Sequence, residues 1–132
     1  MARSDTSHLK ALGAGPLEPS RELEVIVLDT RSPIEITFST DELLARCPVT
    51  QQRDHYRAEL TLVSSATLES KSLKLYLASW ELETILAEDL ANSIADDIAE
   101  VCGDHLEALA VELHQQVRGG IEVGVRTTRP VV

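Results

Sequence analysis

The sequence predicts an α+β fold, a four-stranded antiparallel sheet with two helices on one face, in the order strand, strand, helix, helix, strand, strand. Residues 56–64 alternate apolar and polar side chains with the period of two of a half-buried strand. Between residues 82 and 98, leucine or isoleucine recurs every four positions, which is typical of a long amphipathic helix. The run Arg-Gly-Gly at 118–120 separates two further strand-like segments and indicates a hairpin turn.

The N-terminal segment differs in composition from the rest of the chain. Residues 1–22 are rich in Gly, Pro, Ser and Thr, which predicts a flexible arm, and residues 23–132 are expected to form a single domain. Within the arm, residues 9–13 (LKALG) suggest one short turn that docks on the domain.

Two strands and a short helical turn are expected before the central strand. Residues 22–29 and 34–38 have strand character. The run Ser-Thr-Asp-Glu at 39–42 is typical of a helix start, so one helical turn is expected up to Arg46. Residues 47–54 open with a proline after the cysteine and are expected to form a loop.

The second half is predicted to contain two helices and two strands. A first helix is expected from Ser70, as N-cap, to about residue 80. The second helix carries the apolar stripe and is expected to end at Gly103. Residues 106–114 and 120–127 are the last strands. A sheet this small leaves its edges open, which favours oligomerisation.

Composition indicates an ordinary globular protein. Of 132 residues, 43% are hydrophobic and 26% charged, typical of one soluble domain. No apolar run approaches the ~20 residues of a membrane span, and the first residues lack a secretory signal, so a cytoplasmic location is expected. The two cysteines and four histidines show no metal-ligand spacing, so no metal is expected. No glycine-rich phosphate loop is present, so a nucleotide would be held in another way.

The charge distribution is uneven. The formal net charge is −10, from 22 acidic and 12 basic side chains, which argues against broad binding to nucleic acid. Lys71 and Lys74 are the only lysines besides Lys10, and on a helix they share a face. Together with three arginines near the C-terminus they suggest a small basic pocket for an anionic ligand; the alternative is the solvated face of an ordinary amphipathic helix.

Three residues are candidates for chemistry. Cys47 lies in a proline-containing loop, seven positions before Asp54, and an accessible thiol near an acid is a nucleophile with a proton source. The alternative is a structural thiol and a solvated acid. Glu88 is either a surface glutamate that complements the dipole of its helix or a carboxylate that accepts N–H bonds from a purine-like base. Cys102 adjoins the apolar stripe and is expected in the core.

Three motifs occur in one order along the chain. Cys47-Pro48 with Thr50 and Asp54 is similar to the pattern Cys-Pro-x-Thr-x-x-x-Asp. Residues 69–77 (ESKSLKLYL) match a family signature almost letter for letter, and the Arg-Gly-Gly run follows in the last hairpin. Through these motifs, residues 36–127 resemble the 7-cyano-7-deazaguanine reductases. These enzymes are nitrile reductases in the biosynthesis of queuosine, which is a tRNA modification. The chain resembles the short one-domain type of this family, which belongs to the tunnelling-fold superfamily.

The resemblance implies a mechanism and a set of binding residues. Cys47 would add its sulfur to the nitrile carbon to give a thioimide, Asp54 would protonate the nitrogen, and two NADPH would supply two hydrides. The family forms pentameric rings that stack into larger assemblies, with active sites between subunits. The implied substrate-binding residues are Leu68, Glu69, Ser70, Ala87 and Glu88, and those implied for NADPH are Ser70, Lys71, Lys74, Arg118 and Gly119.

The chain departs from the family pattern near these positions. The family expects a histidine where this chain has Ala87; Gln51 and Arg53 replace the usual Gly and Pro, and His55 stands where an aromatic residue is usual. These departures leave two other hypotheses open. One is an amidinotransferase-like relative that forms the thioimide without using NADPH. The other is a non-catalytic protein that binds a pterin- or deazapurine-like ring.

Overall fold

The structure is a computed structural model that describes residues 3–10 and 18–130. Residues Gly103–His105 form a single 3-10 turn. The strands and helices, in chain order, are β1 (Val25–Val27), β2 (Ile34–Arg46), β3 (Arg53–Ser64), β4 (Ala66–Leu68), α1 (Ser70–Ala78), α2 (Ala87–Cys102), β5 (Leu106–Arg118) and β6 (Ile121–Arg129).

The main sheet has four antiparallel strands in the order β2-β3-β5-β6. Every second residue of β3 from Asp54 to Ser64 is buried, which is the period of two that the sequence shows. Both helices contribute side chains to the core that this face forms. The predicted α+β class, four-stranded sheet and pair of helices are confirmed. A second sheet, the pair β1 and β4 with Val25 opposite Leu68, is not predicted by the sequence.

The apolar stripe forms the buried face of α2, although this helix is shorter than predicted. Leu90, Ile94 and Ile98 are fully buried, as the spacing of four residues requires. Leu82 and Leu86 are exposed and precede the helix, which begins at Ala87. Placing them on the helical stripe was wrong, because the segment before α2 pairs instead with the end of β2.

The predicted helical turn at residues 39–46 is wrong, because these residues continue β2. After a bulge between Thr40 and Leu43, the strand pairs with β3 down to Arg46. Leu43 and Ala45 are fully buried, so the period is two rather than 3.6. The hydrogen bonds and burial gained by pairing with β3 outweigh the helix-start pattern. The predicted loop is also shorter, since Asp54 belongs to β3.

The described parts of the N-terminal segment contact the domain. His8 donates from Nε2 to the Val25 carbonyl oxygen at 2.6 Å. The Lys10 N–H donates to the Glu24 carboxylate, and the Arg21 guanidinium lies 3.4 Å from the centre of the Trp80 ring. The turn predicted at 9–13 lies largely outside the described residues, and a flexible arm up to residue 22 stays a prediction.

Candidate active site

Cys47 begins the tight turn between β2 and β3. Its N–H donates to the Gln52 carbonyl oxygen at 2.9 Å, and the Gln51 N–H donates to the Cys47 carbonyl oxygen at 2.9 Å. Gln51 has φ +60°, a left-handed conformation that costs about 1–2 kcal/mol for a residue with a Cβ. Glycine, usual in the family at this position, would adopt it without strain. The turn leaves Cys47 partly exposed to solvent.

The surroundings lower the pKa of the Cys47 thiol from its ordinary value. The largest cause is a hydrogen bond with the Thr50 side chain, followed by the backbone of Thr50 and of Val49; burial and the charge of Asp54 oppose the shift. Hydrogen bonds to a thiolate stabilise the charged form, which is the nucleophile. Cys102 is the opposite case: burial raises its pKa to about 11, so it remains a core thiol, as predicted.

Asp54 lies beside Cys47 because β3 starts just after the turn. Asp54 is only 3% exposed. The Arg118 Nε atom lies 3.5 Å from Asp54 Oδ1, and Arg118 Nη1 donates to the Gln52 side-chain oxygen. Both hairpin turns of the main sheet are at this end, which brings Arg118 to the cysteine turn. The structure therefore places the predicted acid next to the predicted nucleophile, together with a cation.

Tyr56 also belongs to this group, although it was not predicted from the sequence as a site residue. It lies two residues after Asp54 on the same buried face of β3 and is 1% exposed. Its pKa is raised, first by burial and then by the charges of Asp54, Glu88 and Cys47. Glu88, an exposed residue in the first turn of α2, is one of the charges that contribute to this shift. The alternation that begins at Asp54 was the signal for Tyr56. The name Cys47 cluster is used below for Cys47, Asp54, Tyr56, Glu88 and Arg118.

The signature residues at the start of α1 have structural roles, because they cap this helix. Glu69, not Ser70, is the N-cap: its carboxylate accepts from the Ser72 N–H at 2.7 Å and the Lys71 N–H at 2.9 Å. The Ser72 hydroxyl donates back to the Glu69 carbonyl oxygen. Leu68 is buried at the end of β4. The predicted N-cap was therefore one residue too late, since the longer glutamate side chain reaches the same N–H groups.

Ser70 and Lys74 line a groove between α1 and the sheet. The groove has a volume of about 300 Å³, and its apolar walls include Phe38 and Leu60. The stretch of β3 from Asp54 to Leu60 spans ~20 Å at about 3.3 Å per residue. Within one chain, Leu60 of this groove is thus separated along the sheet from Asp54 and the cysteine turn, although the lining residue Glu42 lies next to Leu43, the strand partner of Tyr56. The name α1 groove is used for it below.

The α1 groove has donors that suit a phosphate. The Lys74 side chain is exposed, and the Ser70 hydroxyl opens on the same groove. The N–H groups of Lys71 and Ser72 already bond to Glu69, so an anion here would be held by side chains rather than by the helix N-terminus. Gly119 lies in the hairpin turn at φ +58°, a conformation that the turn itself requires.

The described residues offer no candidate metal centre and no helix able to span a membrane. In residues 3–10 and 18–130, no group of three or more His, Cys, Asp and Glu is placed to hold a metal ion. In the same part of the chain, neither helix combines the length and apolar character needed to cross a membrane.

Comparison with known proteins gives consistent matches. Residues 57–130 match the family described as "QueF-like protein". A protein of Syntrophus aciditrophicus named NADPH-dependent 7-cyano-7-deazaguanine reductase is 36% identical over 92% of this chain and 86% of its own length. Proteins with that name from Frankia casuarinae and Nitrosococcus oceani are 34% and 37% identical, over 91% and 80% of this chain and 94% and 82% of their own lengths.

A solved structure supports the fold independently. The crystal structure of the archaeosine synthase QueF-Like in the apo form aligns with a TM-score of 0.65, over 79% of this chain and 99% of that chain. At 18% identity this likeness establishes the tunnelling fold alone. The sequence relatives decide the family: the chain belongs to the QueF-like proteins, the family of the NADPH-dependent 7-cyano-7-deazaguanine reductases.

Proposed function

We propose that this protein reduces the nitrile of 7-cyano-7-deazaguanine to the primary amine of 7-aminomethyl-7-deazaguanine with NADPH, as a step of queuosine biosynthesis. The names of its sequence relatives support this reaction. The observation that carries it is the pairing of Cys47, with its lowered thiol pKa, and the buried Asp54 at one end of the sheet.

The first step uses residues of the Cys47 cluster. The Cys47 thiolate adds to the nitrile carbon, a C–S bond forms, and one C–N π bond breaks. Asp54 takes the proton that the Cys47 thiol loses, the electron pair moves to the nitrile nitrogen, and the nitrogen then receives that proton from Asp54. A thiolate suits this attack because it is a strong nucleophile near neutral pH. Arg118, 3.5 Å from Asp54, stabilises the carboxylate that remains.

The later steps need a hydride donor and protons. NADPH, when bound, supplies the hydride, and two NADPH with two protons convert one nitrile to one amine. Lys71 and Lys74 would neutralise its phosphates, with the Ser70 hydroxyl as a hydrogen-bond donor. Arg118 and Gly119 stay candidates for the same role; in the structure Arg118 contacts Asp54.

The substrate ring requires a second set of contacts. Glu88 would accept N–H bonds from the aminopyrimidinone edge, as its exposed carboxylate in the first turn of α2 allows. Ala87 beside it has only a methyl group, so it would contribute shape rather than a hydrogen bond. Leu68, Glu69 and Ser70 stay predictions as substrate contacts, in addition to their structural roles.

The separation of the two regions favours an active site shared between subunits. A second chain that places its α1 groove against the Cys47 cluster would bring the cations and the nucleophile together. Within the described residues, β2 and β6 are the edge strands of the main sheet, and an edge strand can pair with another chain. The homo-oligomer, and the ring that the resemblance implies, are part of the proposal.

The test is to mix protein, 7-cyano-7-deazaguanine and NADPH and to follow the loss of NADPH absorbance. The expected result is consumption that depends on the nitrile, with two NADPH used for each amine formed. Consumption no greater than in the control without nitrile would contradict the proposal. A thioimide that forms while NADPH is unused and ammonia or glutamine is consumed would favour the amidinotransferase alternative.

A further inference from the structure

The Tyr56 hydroxyl is a buried polar group that the chemistry described above leaves unused. Tyr56 is 1% exposed, and its hydroxyl has no hydrogen-bond partner in the described residues. Burying an unbonded hydroxyl costs free energy, and a phenylalanine ring would fill the same space without that cost. Packing alone therefore accounts for the ring of Tyr56 but not for its oxygen.

The Tyr56 hydroxyl belongs to the same cluster as two other buried polar atoms. Asp54 Oδ1 and Arg118 Nε are also buried and form no hydrogen bond in the described residues, although the two atoms form an ion pair with each other at 3.5 Å. Tyr56 and Asp54 are alternate residues of one strand and face the same side of the sheet, opposite Leu43 and Ala45 of β2. Three buried polar atoms without a hydrogen bond thus belong to the Cys47 cluster, where the nitrile is proposed to react, and of these only the Tyr56 hydroxyl lacks an ion-pair partner as well.

Tyr76, the other buried tyrosine, has a hydroxyl with a structural role. Tyr76 is fully buried, and its hydroxyl donates to Asp97 Oδ2 at 2.5 Å. Its oxygen is thus satisfied within the fold, across α1 and α2. The two tyrosines are matched in residue type and burial and differ in whether the hydroxyl has a partner.

The surroundings of Tyr56 restrict what its hydroxyl can do. Burial, and after it the charges of Asp54, Glu88 and Cys47, raise its pKa, while Arg118 acts in the opposite direction. Loss of the phenolic proton would place another negative charge among these acidic groups. Tyr56 therefore remains a neutral phenol, suited to donate a hydrogen bond and unsuited to give up its proton.

We propose that Tyr56 is a further catalytic residue, whose hydroxyl donates a hydrogen bond to the nitrile nitrogen while the Cys47 sulfur attacks. This rests on the proposed function. As the C–S bond forms, the π electron pair moves to the nitrogen, Asp54 delivers the proton, and Tyr56 keeps its own. A donor fixed where negative charge develops stabilises the transition state.

The experiment compares Tyr56→Phe with Tyr76→Phe. Each protein is mixed with 7-cyano-7-deazaguanine without NADPH, and the rate of covalent adduct formation is followed by intact-protein mass spectrometry. We expect Tyr56→Phe to slow adduct formation about 10²-fold, as loss of one such donor does elsewhere. Its melting temperature should stay the same or rise, since an unsatisfied hydroxyl is removed.

Tyr76→Phe should show the reverse pattern. Its adduct rate should equal that of the unmodified protein, while its melting temperature falls by a few degrees, because a satisfied hydrogen bond is lost.

Alkylation of Cys47 by iodoacetamide is the third readout. It should be equal in Tyr56→Phe and the unmodified protein, because this reaction develops no charge on a nitrile nitrogen.

The outcomes separate this proposal from the proposed function. If the unmodified protein and Tyr56→Phe form adduct at the same rate, the role of Tyr56 is refuted and the nitrile chemistry stands. If Tyr56→Phe slows alkylation as much as adduct formation, or unfolds at lower temperature, the hydroxyl acts on structure and the proposal fails. If the unmodified protein forms no adduct, both proposals fall.

Discussion

The start of α1 and the Cys47 cluster both contain several buried polar groups, but the two regions differ in whether these groups form hydrogen bonds within the fold. At α1, the Glu69 carboxylate caps the helix, the Ser72 hydroxyl bonds to the backbone, and Tyr76 donates to Asp97. Such groups are satisfied inside the fold and stabilise it. This region carries the sequence signature, and much of that signature is explained by structure alone.

At the Cys47 cluster, buried polar atoms lack hydrogen bonds, although Asp54 Oδ1 and Arg118 Nε form an ion pair with each other. Among the described residues, the buried side-chain atoms without a hydrogen bond are Arg46 Nε, Asp54 Oδ1, Tyr56 Oη, Trp80 Nε1 and Arg118 Nε. Three of these belong to the cluster, Arg46 immediately precedes Cys47, and Trp80 is the exception. The difference indicates that the polar groups of α1 mainly hold the fold, whereas those beside Cys47 are available to a ligand.

The largest expected effect contrasts the two cysteines. Cys47→Ala should lower nitrile-dependent NADPH consumption by about 10³-fold or more, since loss of a nucleophile has effects of this size or larger. Its stability should change little, because Cys47 is partly exposed. The measurement is steady-state NADPH consumption with a parallel thermal melt.

Cys102→Ala is the matched control. Cys102 is buried in the core, so this change should cost about 1 kcal/mol of unfolding free energy and leave the reaction rate nearly intact. Equal losses of activity in the two variants would break the contrast between a reactive and a structural thiol.

A smaller effect is expected at the α1 groove. Lys74→Ala should raise the KM for NADPH about tenfold with little change in kcat, because a phosphate contact is lost equally from ground and transition states. Lys10→Ala is the control, since the Lys10 ammonium pairs with Glu22 at 3.2 Å and lies outside the groove lining. If both variants change the KM alike, net charge rather than this groove governs cofactor binding.

The smallest expected effect concerns the pH dependence of the thiol. The Thr50 side chain is the largest cause of the lowered Cys47 pKa, so Thr50→Val should raise that pKa towards its ordinary value. Because the thiolate fraction falls as pH drops below the pKa, alkylation at neutral pH should slow and its midpoint should move to higher pH. Thr50→Ser keeps the hydroxyl and should preserve the midpoint; an unchanged midpoint in Thr50→Val would show that the side chain has no such role.

The regular elements could be predicted where one period dominates the sequence. The alternation in β3 and the four-residue spacing in α2 each follow from the burial of one face, and both are confirmed. Residues 39–46 could not be predicted, because the pairing of β2 with β3 is a long-range interaction that overrides a local helix-start pattern. β1 lies within the strand predicted at residues 22–29, whereas β4 has three residues and is too short to leave a period, so the pairing of the two could not be predicted.

The candidate site was predictable in part for the same reason. Cys47 and Asp54 were found from spacing, because a tight turn keeps them close in space as well as in sequence. Tyr56 was missed, because alternation shows that a side chain is buried but not whether its hydroxyl finds a partner. The distance of the α1 groove from Cys47 depends on how the helices pack on the sheet, which local patterns do not encode.

The most direct test is the intact mass of the protein after incubation with 7-cyano-7-deazaguanine, with and without NADPH. We expect a gain equal to one nitrile molecule without NADPH, located at Cys47, and a return to the unmodified mass when NADPH is added. Cys47→Ala should gain nothing. No gain in the unmodified protein, or an equal gain in Cys47→Ala, would contradict the claim that this sulfur captures the substrate.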